Sequence, residues 1–428
     1  MHCVAERRFG SRGSAERWGI GILALGLLAS PACESLTGPG SDDGPPPVIS
    51  ELPRELSGAE DAVIDAGNAF AFDLLREVKG EGTDDDVFIS PLGASMALAM
   101  TLNGADGATL DEMRETLRLN GLSEEELNAG YRDLLELLAE LDPDVEMAVG
   151  NAIWHKEDLT LREGFRDRAE TYFDARVEGL DFGAADAADV INEWVSEATR
   201  ERIEEMVEPP IDPNVVAILM NAIYFKGGWT APFDPEDTRE GEFHLPDGST
   251  ATAELMTRDD TVAYHRGTDF HAVELPYGGR AFAMTVLVPD EVDGAPDLVE
   301  RLDRDAWDEV KEGLSVQRVD LALPRFEVEW EGELNDPLEA LGMEGAFTPA
   351  ADFSRMFEDS SPWIDEVKQK SFVRVDEEGT EAAAATKVVM VDSAPPQVHA
   401  DRPFVFALRE RLSGTILFLG VVNEAPEL

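Results

Sequence analysis

Asn221-Ala222-Ile223-Tyr224-Phe225-Lys226-Gly227-Gly228-Trp229 closes an apolar run that begins at Val215 and is rich in β-branched and aromatic residues. Such a run, stopped by a glycine pair, reads as a strand. Outward from it, further strands are read from Met147 to Trp154, from Ala283 to Val288, and from Val319 to Trp330, the last carrying Leu321, Leu323, Phe326 and Val328. Near the end of the chain two strongly apolar runs, Pro403 to Leu408 and Thr415 to Val422, flank Arg409-Glu410-Arg411-Leu412-Ser413-Gly414 and read as a buried hairpin.

The first half of the chain has the helical period instead. Val63, Gly67, Phe70 and Leu74 recur at helix spacing, as do Leu134, Leu135, Leu138 and Leu141. Thr109-Leu110-Asp111-Glu112 reads as a capping box opening a helix with Leu110, Met113 and Leu117 on its apolar face. Another helix carries Val190, Ile191, Trp194, Val195 and Ala198. Each is amphipathic and needs a sheet or helix to cover it. Helices followed by a strand-rich half define an α+β domain.

Of 428 residues, 89 are acidic and 35 basic, a net charge of −54 that sets the chain against nucleic acid and anionic membrane surfaces. With 43% hydrophobic residues there is material for a sizeable core. Arg7, Arg8, Arg12 and Arg17 precede an apolar run from Trp18 to Ala29, the order of an export signal. That run is shorter than the ~20 residues a membrane-spanning helix needs. Residues 1–32 are therefore expected to be a signal peptide, with Cys33 lipidated; cleavage after small residues and plain secretion is the alternative. Either way the mature protein is expected outside the cytoplasm or on the cell surface. Residues 33–58, rich in Gly, Pro, Ser and Asp, read as a tether, and 59–428 as one domain. Cys3 and Cys33 both precede that domain, so no disulfide staples it.

Ahead of the terminal hairpin, Ser371-Phe372-Val373-Arg374-Val375 reads as a strand that runs into Glu377-Glu378-Gly379-Thr380-Glu381-Ala382-Ala383-Ala384-Ala385-Thr386. Taken at the strand period of two, one face carries Thr380, Ala382, Ala384, Thr386, Val388 and Met390. The other carries Glu381, Ala383, Ala385, Lys387, Val389 and Val391, so both charges fall together. Small side chains slip between existing strands without overpacking, and Gly379 supplies a pivot. Pro395-Pro396 bars the following segment from a central strand position. Alanines after an acidic turn equally suit a plain helix, and the segment alone leaves both readings open.

Other segments bear on that choice. The opening string, followed by Pro232-Phe233, Thr238 and Phe243-His244, resembles the central-sheet signature of the serpin family. Phe88-Ile89-Ser90-Pro91, Asn151-Ala152-Ile153-Trp154, Ile191-Asn192-Glu193-Trp194-Val195, Leu323-Pro324-Arg325-Phe326 and Arg402-Pro403-Phe404-Val405-Phe406 resemble further serpin segments in the family's order, over about residues 60 to 423. The resemblance is to a bacterial-type, inhibitory member. It implies three β-sheets, eight to nine helices and an exposed reactive-centre loop that a protease attacks as substrate. It also implies that the acyl-enzyme is trapped when the cleaved loop inserts into the large sheet, with Glu377 to Thr386 as the hinge and Trp229 packed beneath the insertion point. A plain core aromatic is the other reading of Trp229.

By the family's spacing the reactive bond follows Ser393, before Ala394; counted back from Pro403-Phe404 it follows Asp392, before Ser393, with Met390 and Val391 as lesser alternatives. The implied partner is a serine-type protease that accepts small or acidic residues, elastase-like or subtilisin-like, met by a monomer. At the sheet-opening region the resemblance keeps Ser90 and Asn221 but sets Gln369 and Gly93 where many members have a histidine and a second serine; Gln369 either replaces the histidine's hydrogen bond through its amide or belongs to a different network. A rival reading is a serpin fold that inhibits nothing and serves as a binding or chaperone protein. An enzyme is a third: His2, His155, His244, His265, His271 and His399 have no metal-binding spacing, and no nucleophile elbow, P-loop or dinucleotide fingerprint occurs, so neither metal nor cofactor is expected. A surface anchor held by Cys33 is compatible with inhibition.

Overall fold

The computed structural model describes residues 47–80, 85–212, 214–358, 361–380 and 395–425. Its helices are α1 (Gly58–Lys79), α2 (Pro91–Leu102), α3 (Gly107–Thr116), α4 (Glu124–Glu140), α5 (Glu163–Phe173), α6 (Ala187–Ala198), α7 (Ala295–Arg301), α8 (Arg304–Gly313) and α9 (Asn335–Leu338). Its strands begin with β1 (Val87–Ile89), β2 (Val145–Lys156), β3 (Ala175–Leu180), β4 (Ala217–Gly228), β5 (Arg239–His244), β6 (Thr250–Arg266), β7 (Phe270–Pro276) and β8 (Phe282–Pro289). They continue with β9 (Ser315–Pro324), β10 (Phe326–Glu333), β11 (Lys368–Val375), β12 (Gly379–Thr380), β13 (Gln397–His399), β14 (Phe404–Glu410) and β15 (Ile416–Val422).

Among the described residues the strands form three sheets. The largest has nine strands in the order β1-β15-β14-β8-β7-β6-β9-β13, with β5 on β6. A four-stranded sheet runs β12-β4-β2-β3, and β10 and β11 make an antiparallel pair beside it. The fold is α+β, as the sequence implies. The terminal hairpin is β14 and β15, buried along its whole length. The strand after Pro395-Pro396 is β13, parallel to β9 at the edge of the large sheet, where a proline's missing donor does no harm.

Alternation along β4 decides what the smaller sheet covers. Ala217, Leu219, Ile223 and Phe225 pack on the main core, whereas Ile218, Met220 and Ala222 join a second cluster with Ile191, Trp194 and Val195 of α6. One face of β4 thus rests on the molecule's centre, and α6 roofs the other. Within the 33–58 stretch, residues 47–57 are seated on the body: Ile49, Leu52 and Leu56 pack against the core, and the Ile49 amide donates to the Gly279 carbonyl at 2.7 Å.

Two expectations need correction. Val319 to Trp330 is not one strand: β9 ends at Pro324, Arg325 donates its amide to the Glu254 carbonyl, and β10 continues in a different sheet. The cap of α3 is Asp106, whose carboxylate accepts from the Gly107 amide at 3.0 Å. Thr109 lies inside the first turn, and its hydroxyl accepts instead from the Asp352 amide.

Candidate functional site

β11 ends at Val375 and the chain reverses over Asp376-Glu377-Glu378-Gly379. The Asp376 amide donates to the Gly379 carbonyl at 3.1 Å, and the Gly379 amide to the Asp376 carbonyl at 3.2 Å. The Asp376 carboxylate accepts from the Glu378 amide at 3.0 Å, a local side-chain turn. Gly379 has φ of +122°, and a Cβ there would stand 2.5 Å from the Trp229 nitrogen and 2.6 Å from the Gly227 oxygen. Only glycine fits that corner.

Past the corner the chain joins β4 antiparallel, Gly379 beside Gly228 and Thr380 beside Gly227. Trp229 seals the junction. Its amide donates to the Glu378 carbonyl, and its indole N–H to the Asp376 carbonyl, each at 2.9 Å. The buried indole stacks on Tyr277 with ring centres 4.4 Å apart and meets the edge of Phe233, over which Arg258 lies. Trp229 is therefore at the turn itself and hydrogen-bonded to it, more than a plain core aromatic.

Glu377 is buried, 4% exposed, beneath the same turn. Burial alone would push its carboxyl up, but hydrogen bonds from Arg325 and from the Thr238 hydroxyl outweigh it and hold the group below the usual carboxylate range. Arg325 also reaches Glu254 at 2.5 Å. Its own pKa is raised, chiefly by the hydrogen bond to Glu377. Sequence reading placed Glu377 in the hinge and missed its role as an anchor; the available signal was a carboxylate next to a strand end, which needs a cation once buried.

Below this junction β4 and β11 run side by side without a ladder between them among the described residues. The cleft they leave is lined by the apolar Ile223, Phe225, Phe372 and Val373, by Thr199, Arg202 and Ile203 just past the end of α6, and by the polar Tyr224, Lys226, Arg374 and Asp376. Farther down stand the sheet-opening residues. Ser90 caps α2, its hydroxyl accepting from the Gly93 amide and donating to the Leu417 carbonyl at 2.9 Å. The Gln369 side-chain oxygen accepts from the Ser90 amide and its NH2 donates to the Ser90 carbonyl, both at 2.9 Å. The glutamine thus ties β11 to the start of α2 by two bonds. Asn221 donates to the Asn151 side chain at 2.8 Å, and its oxygen leaves Gly93 no room: a Cβ on residue 93 would lie 2.2 Å from it.

The structure therefore gathers Glu377, Glu378, Gly379, Thr380 and Trp229 at one end of the cleft, and Ser90, Asn221 and Gln369 lower down. Glu381 to Thr386, the reactive-bond candidates Asp392, Ser393 and Ala394, and Cys33 lie outside the described residues.

A family model described as "Serpin (serine protease inhibitor)" matches residues 65–425. An uncharacterized serpin-like protein of Thermococcus kodakarensis is 36% identical over 374 residues, covering 85% of this chain and 86% of the relative. Human serpin B3 is 31% identical over 384 residues, 83% of this chain and 97% of that one. Among solved structures, the native state of the thermophilic serpin tengpin superposes with a TM-score of 0.77 at 28% identity, covering 88% of this chain and 96% of tengpin. Human thyroxine-binding globulin in complex with thyroxine gives 0.79 at 26% identity, covering 86% of this chain and 100% of that one. The chain belongs to the serpin family, a family of serine protease inhibitors.

Proposed function

We propose that this chain inhibits serine-type proteases as a single-use substrate, trapping the acyl-enzyme by completing the strand that β12 begins. One observation carries the reading: β12 is paired with β4 over Gly379 and Thr380, and below that row β4 and β11 flank a cleft with no ladder between them among the described residues.

Continuing the register on both sides sets Ala382 opposite Phe225 and Val373, Ala384 opposite Ile223 and Ser371, and Thr386 opposite Asn221 and Gln369. Directly opposite residues of an antiparallel pair share a face, so this even-numbered row points to the core. Alanine and threonine fit there without forcing the walls apart. Each new ladder bond contributes about 1 kcal/mol, on two edges, so insertion is strongly downhill once the loop is cut.

The chemistry before insertion is the protease's own. Its serine oxygen adds to the Ser393 carbonyl carbon, the bond to the Ala394 nitrogen breaks, and the Ala394 amine leaves with the proton. The remaining ester links the protease to Ser393, and insertion carries it along the sheet before water can hydrolyse it. A small residue at the cut favours elastase-like or subtilisin-like proteases. Export, with or without a lipid on Cys33, puts the inhibitor where such proteases act; mass spectrometry of the mature amino terminus decides between the two.

Mixing the purified chain with elastase and subtilisin tests the reading. A complex that survives SDS is expected; cleaved chain alone, across a panel of serine proteases, would place it with binding or chaperone members of the fold.

A further inference from the structure

From the end of β4 the chain crosses Trp229 to Asp234 with a single bridge, Trp229 to Tyr277, and this crossing carries contacts that hold the hinge turn. The Trp229 amide and indole donate to the Glu378 and Asp376 carbonyls, and the Phe233 amide donates to the Glu377 carbonyl at 2.9 Å. The near end is fixed by Thr230, whose amide donates to the Pro276 carbonyl and whose hydroxyl donates to the Gly278 carbonyl, each at 2.8 Å. Farther along, Pro232 has no amide to give. Ala231 to Phe233 therefore need a partner from another element to stay in place.

Arg258 of β6 is that partner. Its row of the strand also carries Met256, Val262 and Tyr264, all buried, so a guanidinium at this place breaks an apolar pattern. The Arg258 side chain is only 12% exposed. Nη1 donates to the Ala231 carbonyl, the guanidinium carbon lies 4.4 Å from the centre of the Phe233 ring, and Nε stands 3.4 Å from the Asp260 carboxylate. Phe233 in turn meets Trp229 edge to face, with ring centres 6.4 Å apart. A cation this far out of water is retained only with partners, and both the carbonyl and the ring that it takes belong to the crossing.

We infer that Arg258 is a positioning residue for the hinge. By clamping Ala231 and Phe233 it keeps the Phe233 amide on Glu377 and the Trp229 amide on Glu378, and so keeps β12 paired with β4 when the loop is cut. It acts through Phe233 and Trp229. The consequence for trapping rests on the inhibitory reading above. Arg258 pairs with Leu321 of β9, so the clamp is rooted in the large sheet, outside the smaller sheet to which β12 belongs. A planar guanidinium can stack on the ring and donate to the carbonyl at once, which a lysine ammonium cannot do. Methionine keeps the apolar length and makes neither contact.

Full-length Arg258→Met, Arg258→Lys and Phe233→Leu variants test the assignment. One readout is hydrogen exchange at the Trp229 and Phe233 amides of the uncut chain, which needs no protease. The other, with elastase and subtilisin, is the ratio of SDS-resistant complex to released cleaved chain, from which any change in cleavage rate drops out. Arg258→Met is expected to raise exchange at both amides and to lower the ratio, each by about tenfold, and Arg258→Lys to recover part of both. Phe233→Leu should move both readouts the same way. Combined with Arg258→Met it should do little more than the stronger single change, since the two remove one contact. Should the methionine variant not fold, Arg258→Lys and Phe233→Leu carry the same comparison. Parental exchange and ratio in the Arg258 variants overturn the assignment. So do losses that add in the double variant, and exchange that rises as much along β6 and β9 as at the crossing, the mark of a general stabiliser. A parent chain that forms no complex overturns the inhibitory reading, while exchange at the Phe233 amide still decides whether Arg258 holds the turn.

Discussion

Arg325 grips both carboxylate oxygens of Glu377: Nε lies 2.9 and 2.8 Å from them, and Nη2 2.6 Å from Oε1. The pair joins the break between β9 and β10 to the turn that starts the hinge, so it fixes where β11 stops. Because the folded-state pKa of Glu377 lies below the ordinary 4.5, its contribution is fully present above that value and is lost as pH falls through the lowered one. Glu377→Gln is expected to cost about 2 kcal/mol at neutral pH, less than the ~3–5 kcal/mol of a fully buried pair because Arg325 is partly exposed. Urea midpoints of parent and variant should converge as pH is taken below 4.5 and through the lowered pKa. A gap that stays constant over that range would show that the charge of Glu377 contributes nothing.

Gly379→Ala should disturb the hinge where it meets the end of β4. The added Cβ meets backbone atoms of Gly227 and Trp229 rather than a side chain that could swing away, and the positive φ adds strain of about 1–3 kcal/mol. The β12 pairing is expected to be lost, and with it the head start of insertion. The variant should be cut by elastase as readily as the parent yet give mostly released product. Hydrogen exchange at the Trp229 amide, which donates to the Glu378 carbonyl, should rise in parallel; unchanged protection together with a full yield of complex would refute the role given to this corner.

Sequencing the fragment released by elastase is expected to begin at Ala394. A fragment beginning at Ser393 would move the cut to Asp392 and favour acid-preferring proteases. In line with the first outcome, Ser393→Arg should create an SDS-resistant complex with trypsin that the parent does not form, since trypsin-type pockets require a cationic residue at the cut.

Much of this was legible in the sequence because strand period and residue size are local properties. The alternation from Thr380 to Met390 assigns an inner and an outer row, and Gly379 and Thr380 begin the pairing with β4 from which that alternation would run. What was not legible depends on partners far apart in the chain. Thr109 looks like a helix cap until Asp352, 243 residues away, occupies its hydroxyl. The apolar pattern from Val319 to Trp330 continues through Arg325, and only the Glu254 carbonyl and the Glu377 carboxylate explain why the strand changes sheets there. Gln369 was ambiguous for the same reason: an amide can replace a ring nitrogen or serve another network, and the distance to Ser90 had to be seen.

Gln369, Ser90, Asn221 and Gly93 form one packed unit, and substitutions there should be strongly coupled. Gln369→Leu leaves the Ser90 amide and carbonyl without their side-chain partner in a buried place, at a cost of about 1–3 kcal/mol. Gly93→Ser drives a Cβ into the Asn221 oxygen and should cost a similar amount alone. Asn221→Ala removes the obstacle, and with it one hydrogen bond to Asn151. The double variant Gly93→Ser/Asn221→Ala is therefore expected to be more stable than the sum of the single losses by about 1 kcal/mol, a coupling measurable in a double-mutant cycle. The same unit makes a pH statement. An amide does not titrate, so the Gln369 link to Ser90 is the same at pH 5 and 8, whereas Gln369→His introduces a group that gains charge in that window. Insertion rates after cleavage should show a new pH dependence in the histidine variant relative to the parent; matching profiles would mean that the tie between β11 and α2 does not limit the opening of the sheet.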